Sequence, residues 1–287
     1  MHGSVPGRIR VDPMQQRQRS TGLLLRRMRA NRGWSQEALA SRASVSPRHL
    51  SFVENGRSNP SRDLLLSLGA ALDLTLRERN ELLVAAGFAA AFRESALDEP
   101  SMAPVVAGIG LLFAHAEPHP ALLLDHRWNI LRFNAGTAAL LSWLGADVVG
   151  LLAAQPLNVL RLFFDPRGPL RPHVVDFEPI AVGLLARVER EADLEGDPVV
   201  RALAAELRAL LGPTSTKAAD PGATPPVMLP FAVSRGGVTL RWFTMLSTIG
   251  TPLDLTAQSL RIETYIPLDA ATDATMRSLG ASAPSAE

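Results

Sequence analysis

Residues 35–57, SQEALASRASVSPRHLSFVENGR, read as two short helices joined by a tight turn. Ser35 is an N-cap residue, and Gln36 and Glu37 follow it in the first turn, where an acceptor or a negative charge meets free backbone N–H groups. Leu39 and Ala40 face inward, and the small residues Ala43 and Ser44 stand where the chain must turn closely. A second start follows, with Ser46 as cap and Pro47 at the first helical position, where its missing N–H costs nothing. Leu50 and Val53 are three apart and point the same way from the second helix. Arg48, His49, Ser51, Phe52 and Asn55 are thereby left off the buried face. Helix, short turn, helix, with polar and basic groups on the free side of the second, is what reading DNA requires.

Gln36, Ala40 four residues on, Leu50, Val53 and the terminal Glu54-Asn55-Gly56 resemble the helix-turn-helix of the XRE (phage-repressor-like) family. The departure is Ser44, where that family usually has Gly and where a positive φ is less easily borne by Ser. The resemblance implies that Ser46, Arg48, His49 and Phe52 reach base edges. Arg48 is the best reader, because its fork can bond guanine O6 and N7. Phe52 either contacts thymine methyls or packs on the neighbouring helix. Gln36, Asn55, Arg57 and Ser58 are placed for phosphates, Gln36 at a helix N-terminus suited to an anion.

At 287 residues the chain is long enough for about two domains. No apolar run approaches a bilayer span, and the N-terminus has no signal-peptide core, so the expected compartment is the cytoplasm. The absence of Cys excludes disulfides, Cys-zinc sites and thiol redox chemistry. The net charge of +1 hides a split: through Arg62 there are twelve Arg against three acids, an excess of +9, so the remainder carries −8. A basic N-terminal fifth joined to an acidic remainder fits one nucleic-acid-binding module and one that avoids nucleic acid.

Working outward, residues 1–19 read as a disordered basic arm. From Ser20, TGLLLRRMRANRG gives Leu24, Leu25 and Met28 as an inner stripe, with Arg26, Arg27, Arg29 and Arg32 outward. Ser61 caps the helix after the DNA-reading pair, and Thr75 with Glu78 forms a capping box for another, which Gly87 closes. About five helices therefore make an all-α domain over 20–92, followed by a linker over 93–103.

The second half changes character. PVVAGIGLLFAHAE is an apolar helix; ALLLD and WNILRFN are strands around a turn, with Trp128, Ile130 and Arg132 on one face. Amphipathic helices follow, one capped by Asp197 ahead of Pro198, and residues 212–226 form a loop. VMLPFAVS and VTLRWFTMLSTI flank Arg235-Gly236-Gly237, a strong hairpin signal. SLRIETYIP alternates Leu260, Ile262 and Ile266 with Arg261, Glu263 and Tyr265, which predicts one wet face. The sum is an α/β domain with a mainly antiparallel five-stranded sheet over 104–275, and a flexible tail over 276–287.

PALLLDHRWNILRFNAGTAALL, NVLRLFFDP and GTPLDLTAQSLRIETYIPLDAAT resemble the C-terminal domain of MmyB-like transcriptional regulators. The resemblance implies a PAS-like ligand-binding fold, with bound fatty acid known in the family. Trp128, Phe133, Leu140, Phe163, Phe164, Phe231, Trp242 and Phe243 then either line an apolar pocket between sheet and helices or are simply core. Asn134 and Arg161 are the candidate head-group residues, and one Arg in an apolar pocket suits a carboxylate on an acyl chain. No catalytic constellation emerges. Pro118 breaks any helix that would pair His115 with His119 on a metal, Gly108-Ile109-Gly110 follows no strand, and no Gly-x-Ser-x-Gly elbow is present.

The expected protein is a DNA-binding transcriptional regulator, not an enzyme, with no cofactor and no metal. Its expected partners are a double-stranded operator, a small apolar effector such as a fatty acid, and a second copy of itself; membranes are not among them. The rival readings are a constitutive regulator whose second domain only dimerises, and an enzyme with an unrecognised site.

Overall fold

The computed structural model describes residues 13–153, 156–212, 228 and 230–282. It divides into two units, one of residues up to Ser95 together with Thr251–Gln258, the other of Ala96–Gly250 together with Ser259 onward.

The first unit contains α1 (Pro13–Asn31), α2 (Gln36–Arg42), α3 (Pro47–Glu54), α4 (Arg62–Ala71) and α5 (Leu76–Ala85). Helix α1 starts at Pro13, so residues 13–19 belong to a helix rather than to the expected arm; the rest of that arm lies outside the described residues. The caps are those the sequence implies. Ser35, Ser46 and Ser61 each accept a backbone N–H of the first turn, and Thr75 and Glu78 close a reciprocal capping box. Leu25, Leu39, Leu50, Leu65, Leu68, Leu82 and Leu83 fill the core. Gly22 lets α1 lie against the end of α3, since a Cβ there would sit 2.5 Å from the carbonyl oxygens of Val53 and Glu54. Ser44 adopts φ 56°, the left-handed turn its position demands.

This unit is completed from far along the chain. Leu255 and Ala257 are buried, the Leu76 N–H donates to Gln258 Oε1 (2.7 Å), the Leu255 N–H to the Arg93 carbonyl (2.8 Å) and the Ser95 N–H to Asp254 Oδ2 (3.2 Å). An orphan donor at the start of α5 is thus satisfied by a side chain 182 positions away.

In the second unit, α6 (Ala103–Ala116) precedes β1 (Ala121–Leu124) and β2 (Ile130–Phe133), and α7 (Ala135–Trp143), α8 (Val148–Ala153), α9 (Val159–Phe164), α10 (Phe177–Glu195) and α11 (Pro198–Leu211) follow. Then come β3 (Phe231–Arg235), β4 (Val238–Thr248), β5 (Arg261–Pro267) and α13 (Ala270–Ser282); the short α12 (Leu255–Ser259), between β4 and β5 in the chain, belongs to the first unit up to Gln258. The sheet has five strands in the order β2-β1-β5-β4-β3, every ladder antiparallel. Gly236 and Gly237 turn the β3–β4 hairpin with φ 58° and 81°, the left-handed pair a two-residue turn requires. Asp197 caps α11 ahead of Pro198.

Three expectations are corrected. The tail does not begin at 276: α13 continues to Ser282 and Met276 is fully buried. Trp128 stands in the turn before β2 with φ 66°, buried, while Arg132 is exposed. On β5 Leu260 and Ile262 are buried as expected, but Ile266 is exposed and Arg261, Glu263 and Tyr265 are half-buried instead of forming a wet face. The expected loop over 212–226 lies almost wholly outside the described residues.

Candidate nucleic-acid interface and effector recess

The free surface of α3 follows from its cap. Ser46 accepts the His49 N–H (3.2 Å), which leaves Ser46, Arg48 and His49 exposed on the first turn. The Arg48 guanidinium lies over the Phe52 ring, 5.4 Å from its centroid. Phe52 is half-buried and stands outside the core cluster, so its face supports an arginine instead of filling the domain. One turn on, the Asn55 amide donates to the Ser51 carbonyl (2.8 Å) and hydroxyl (3.3 Å), closing the helix end. Arg57 is exposed and Ser58 half-buried just beyond the turn at Gly56.

Gln36 is used differently from the expectation. Its amide donates to Glu54 Oε2 (2.7 Å), and Glu54 is buried. Arg29 completes that carboxylate with Nε to Oε1 (2.6 Å) and Nη2 to Oε2 (2.9 Å), while its Nη1 donates to the Trp34 carbonyl (2.6 Å). Arg29 therefore points inward, not outward. Three helices converge on one buried carboxylate, which needs charged and neutral donors to replace its water. Arg32 is likewise engaged, with both Glu78 oxygens at 2.9 and 3.1 Å. Arg26 and Arg27 remain exposed as expected.

In the second unit the eight candidate ligand residues do not form one surface. Phe133, Phe231 and Trp242 share the helix-covered face of the sheet, Phe231 opposite Trp242 and stacked on it at 6.1 Å. Phe164 is fully buried beneath, in edge contact with Phe163 (5.5 Å) and Phe177 (5.8 Å). Phe243 points from the opposite face, next to Trp242 in the strand. Trp128 is held at a corner, between the guanidiniums of Arg187 and Arg261 at 5.1 Å each, with its indole N–H donating to Glu191 (3.0 Å).

The two head-group candidates have structural partners. Asn134 is buried; its Oδ1 accepts the N–H groups of Ala121 (2.9 Å) and Thr137 (3.0 Å), and its amide donates to the His119 carbonyl (2.8 Å). It caps α7 and pins β1. Arg161 is tied at the surface to both oxygens of Glu206 (2.8–3.1 Å). Position in sequence put both near the aromatics; their polar atoms are spent on the fold.

Sequence reading missed the polar residues of the covered face. Glu191 accepts from Trp128, from Arg187 Nε (3.0 Å) and from Arg261 Nη1 (2.9 Å). Burial opposes its ionisation, but the Arg261 charge and these hydrogen bonds outweigh it and hold the carboxyl below its usual range. Glu263 and Tyr265 stand on the same face of β5, Tyr265 in edge contact with Phe231 (5.5 Å) and Trp242 (6.3 Å). The signal was the period-2 pattern of SLRIETYIP, whose phase was readable; that its polar side is half-buried as well was not. An open depression of about 370 Å³ lined by Gly145, Asp147, Leu151, Arg167 and Pro169 touches none of the eight candidates. Among the described residues no group of three or more His, Asp or Glu could hold a metal, and no helix is long and apolar enough to cross a membrane.

Two family models match the chain: the MmyB-like transcription regulator ligand binding domain over residues 105–279, and a helix-turn-helix domain over residues 21–82. Among solved structures, the restriction-modification controller protein C.AhdI from Aeromonas hydrophila is 35% identical, over 22% of this chain and 94% of that one, with a TM-score of 0.21. The clp gene regulator ClgR from Corynebacterium glutamicum is similar at 34% identity over 25% of this chain and 88% of that one (TM-score 0.22), and in a second structure at 30% over 34% and 88% (TM-score 0.22). No curated protein matches.

Proposed function

This chain belongs to the family of MmyB-like transcription regulators, and on that premise we propose a homodimeric, sequence-specific DNA-binding regulator whose C-terminal unit senses a small apolar molecule. The observation that carries the DNA half is the surface of α3, where Ser46, Arg48 and His49 are exposed on the first turn and Arg48 rests on Phe52. Arg48 and His49 read base edges, and Ser51, Asn55, Arg57 and Ser58 lie along the backbone. Gln36 acts at one remove, by fixing Glu54 and hence the pitch of α3.

One such helix reads only a few base pairs, so two copies on inverted half-sites are needed for a specific operator. Helix α6 supports self-association. It is strongly apolar, yet only Ile109 is fully buried, while Leu111 and Leu112 are exposed. The effector half rests on the half-buried Phe133, Phe231, Leu246 and Tyr265 along the covered face of the sheet. A role without catalysis is supported by the family matched over residues 105–279, which is one of transcription regulators.

Selection of bound sequences from a random duplex pool tests this reading. A regulator of this kind enriches an inverted repeat with half-site centres about one helical turn apart. Enrichment of no motif would refute it.

A further inference from the structure

Helix α1 starts at Pro13, whereas the helix-turn-helix match begins at residue 21, so residues 13–20 add about two turns ahead of the matched domain. These turns rest on two glycines. At Gly56, in the turn that ends α3 with φ 65°, a Cβ would lie 2.9 Å from the Arg19 Cα and 3.0 Å from its Cγ. At Gly87, past the end of α5, a Cβ would lie 2.5 Å from the Arg17 Nη1. Gly22 meets the Val53 and Glu54 carbonyls at the end of α3 in the same way. The beginning of α1 therefore sits directly on the turn that leads from α3 to Arg57.

The helical period sorts the arginines of α1. Thr21, Leu25 and Met28 form the buried stripe. At about 100° per residue, Arg19 borders that stripe on the α3 side next to Gly22, Arg17 borders it on the α5 side, and Arg27 points away from both. All three are exposed, and among the described residues none has an ion-pair partner. Helix α1 itself carries no acidic residue. Arg57 follows Gly56 immediately and is likewise exposed and unpaired among the described residues. The acid nearest to it in the chain, Glu54, is spent on Arg29 and Gln36. Two guanidiniums from different elements thus flank one glycine at the end of the DNA-facing helix, without a carboxylate between them.

We propose that Arg19 binds a DNA phosphate beside the one met by Arg57, which makes the start of α1 a second element that grips the DNA backbone. The assignment rests on the DNA-binding reading above and extends the contact surface beyond the matched domain. Its anion is a phosphate and not a base edge, because Arg19 stands at the last turn of α3, whereas the base-reading side chains stand on the first. Such a contact adds affinity and fixes orientation but carries no sequence information.

The test is binding of the full-length protein to the duplex selected above and to a short duplex of unrelated sequence, followed by fluorescence anisotropy between about 50 and 200 mM salt. Arg19→Gln removes the charge but keeps the Cγ that packs on Gly56. The expected result is a slope of log K against log salt shallower by about 0.9 on both duplexes, with their affinity ratio unchanged. Arg19→Lys should restore the slope, and Arg17→Gln, on the α5 side, should leave it as it is. An unchanged slope for Arg19→Gln, in a protein that binds DNA, would overturn the proposal and leave DNA binding intact. Equal effects of Arg19→Gln and Arg17→Gln would reduce Arg19 to bulk charge and overturn it too. A changed affinity ratio would make Arg19 a base reader and overturn the phosphate assignment. Failure of the unaltered protein to bind either duplex at the low-salt end would overturn the proposal together with the DNA-binding reading beneath it.

Discussion

Glu54, at the last turn of α3, is gripped by Arg29 of α1 through two charge-assisted hydrogen bonds of 2.6 and 2.9 Å, with the carboxylate almost wholly out of water. This fixes the end of the DNA-facing helix against the first helix of the unit. Removing the cation leaves a buried charge uncompensated, a loss of about 3–5 kcal/mol. Arg29→Ala should therefore unfold the N-terminal unit at markedly lower denaturant than Gln36→Ala, which removes one neutral donor and costs about 1–2 kcal/mol. Urea titration of the two variants distinguishes them, and equal midpoints would contradict the network.

DNA binding should respond differently to two exposed arginines. Arg57→Ala, next to the turn at Gly56, is expected to weaken all duplexes alike and to make the slope of log K against log salt shallower by about 0.9. Arg48→Ala is expected to lose discrimination at one base pair, about 1–3 kcal/mol. Competition binding with single-base operator variants reads both effects.

Glu263 makes a signed prediction for stability against pH. Its carboxyl is raised from 4.5 to about 7 in the folded protein, so between those values the folded state holds more proton than the unfolded one. Stability contributed by this group is complete below about pH 4.5, falls as pH rises, and levels off above about 7. Glu263→Gln should remove that fall, making the variant more stable at pH 8 by about 3 kcal/mol relative to its effect at pH 4. Thermal melts of the C-terminal transition at the two pH values give the comparison.

Self-association through α6 predicts that Leu111→Glu with Leu112→Glu yields a monomer with its fold intact, since both side chains are exposed in the single chain (65% and 46%). Light scattering together with far-UV circular dichroism checks it. A dimer that persists at micromolar concentration would move the interface elsewhere.

How much of this was legible beforehand depended on whether the cause was local. Caps and turns are local: Ser35, Ser46, Thr75-Glu78 and Gly236-Gly237 act within four residues and can be read from the chain. The hairpin and the existence of β5 were equally plain. Arg29, Gln36 and Glu54 were not, because a surface arginine and one that threads into a core have the same helical spacing until the partner carboxylate is known. The polar face of β5 failed for a related reason. Alternation tells which residues go together, and only the packed helices decide which set is covered. Asn134 and Arg161 lay close in sequence to the aromatics, but their polar atoms were already committed to β1, α7 and Glu206.

The segment Thr251–Gln258 means that the DNA-reading unit is not a continuous piece of polypeptide. The chain leaves the sheet at the end of β4, contributes Leu255, Ala257 and Gln258 to the helical unit, and re-enters the sheet at β5. A fragment stopped at Ser95 would lose the Gln258 side chain and leave the Leu76 N–H to water. A chimaera that exchanges the C-terminal half of one regulator for another's must carry these eight residues matched to its own α5. The same eight residues lie in the chain between the strand that bears Leu246 and the strand that bears Glu263, so the helical unit's last piece is made only after most of the sheet has been.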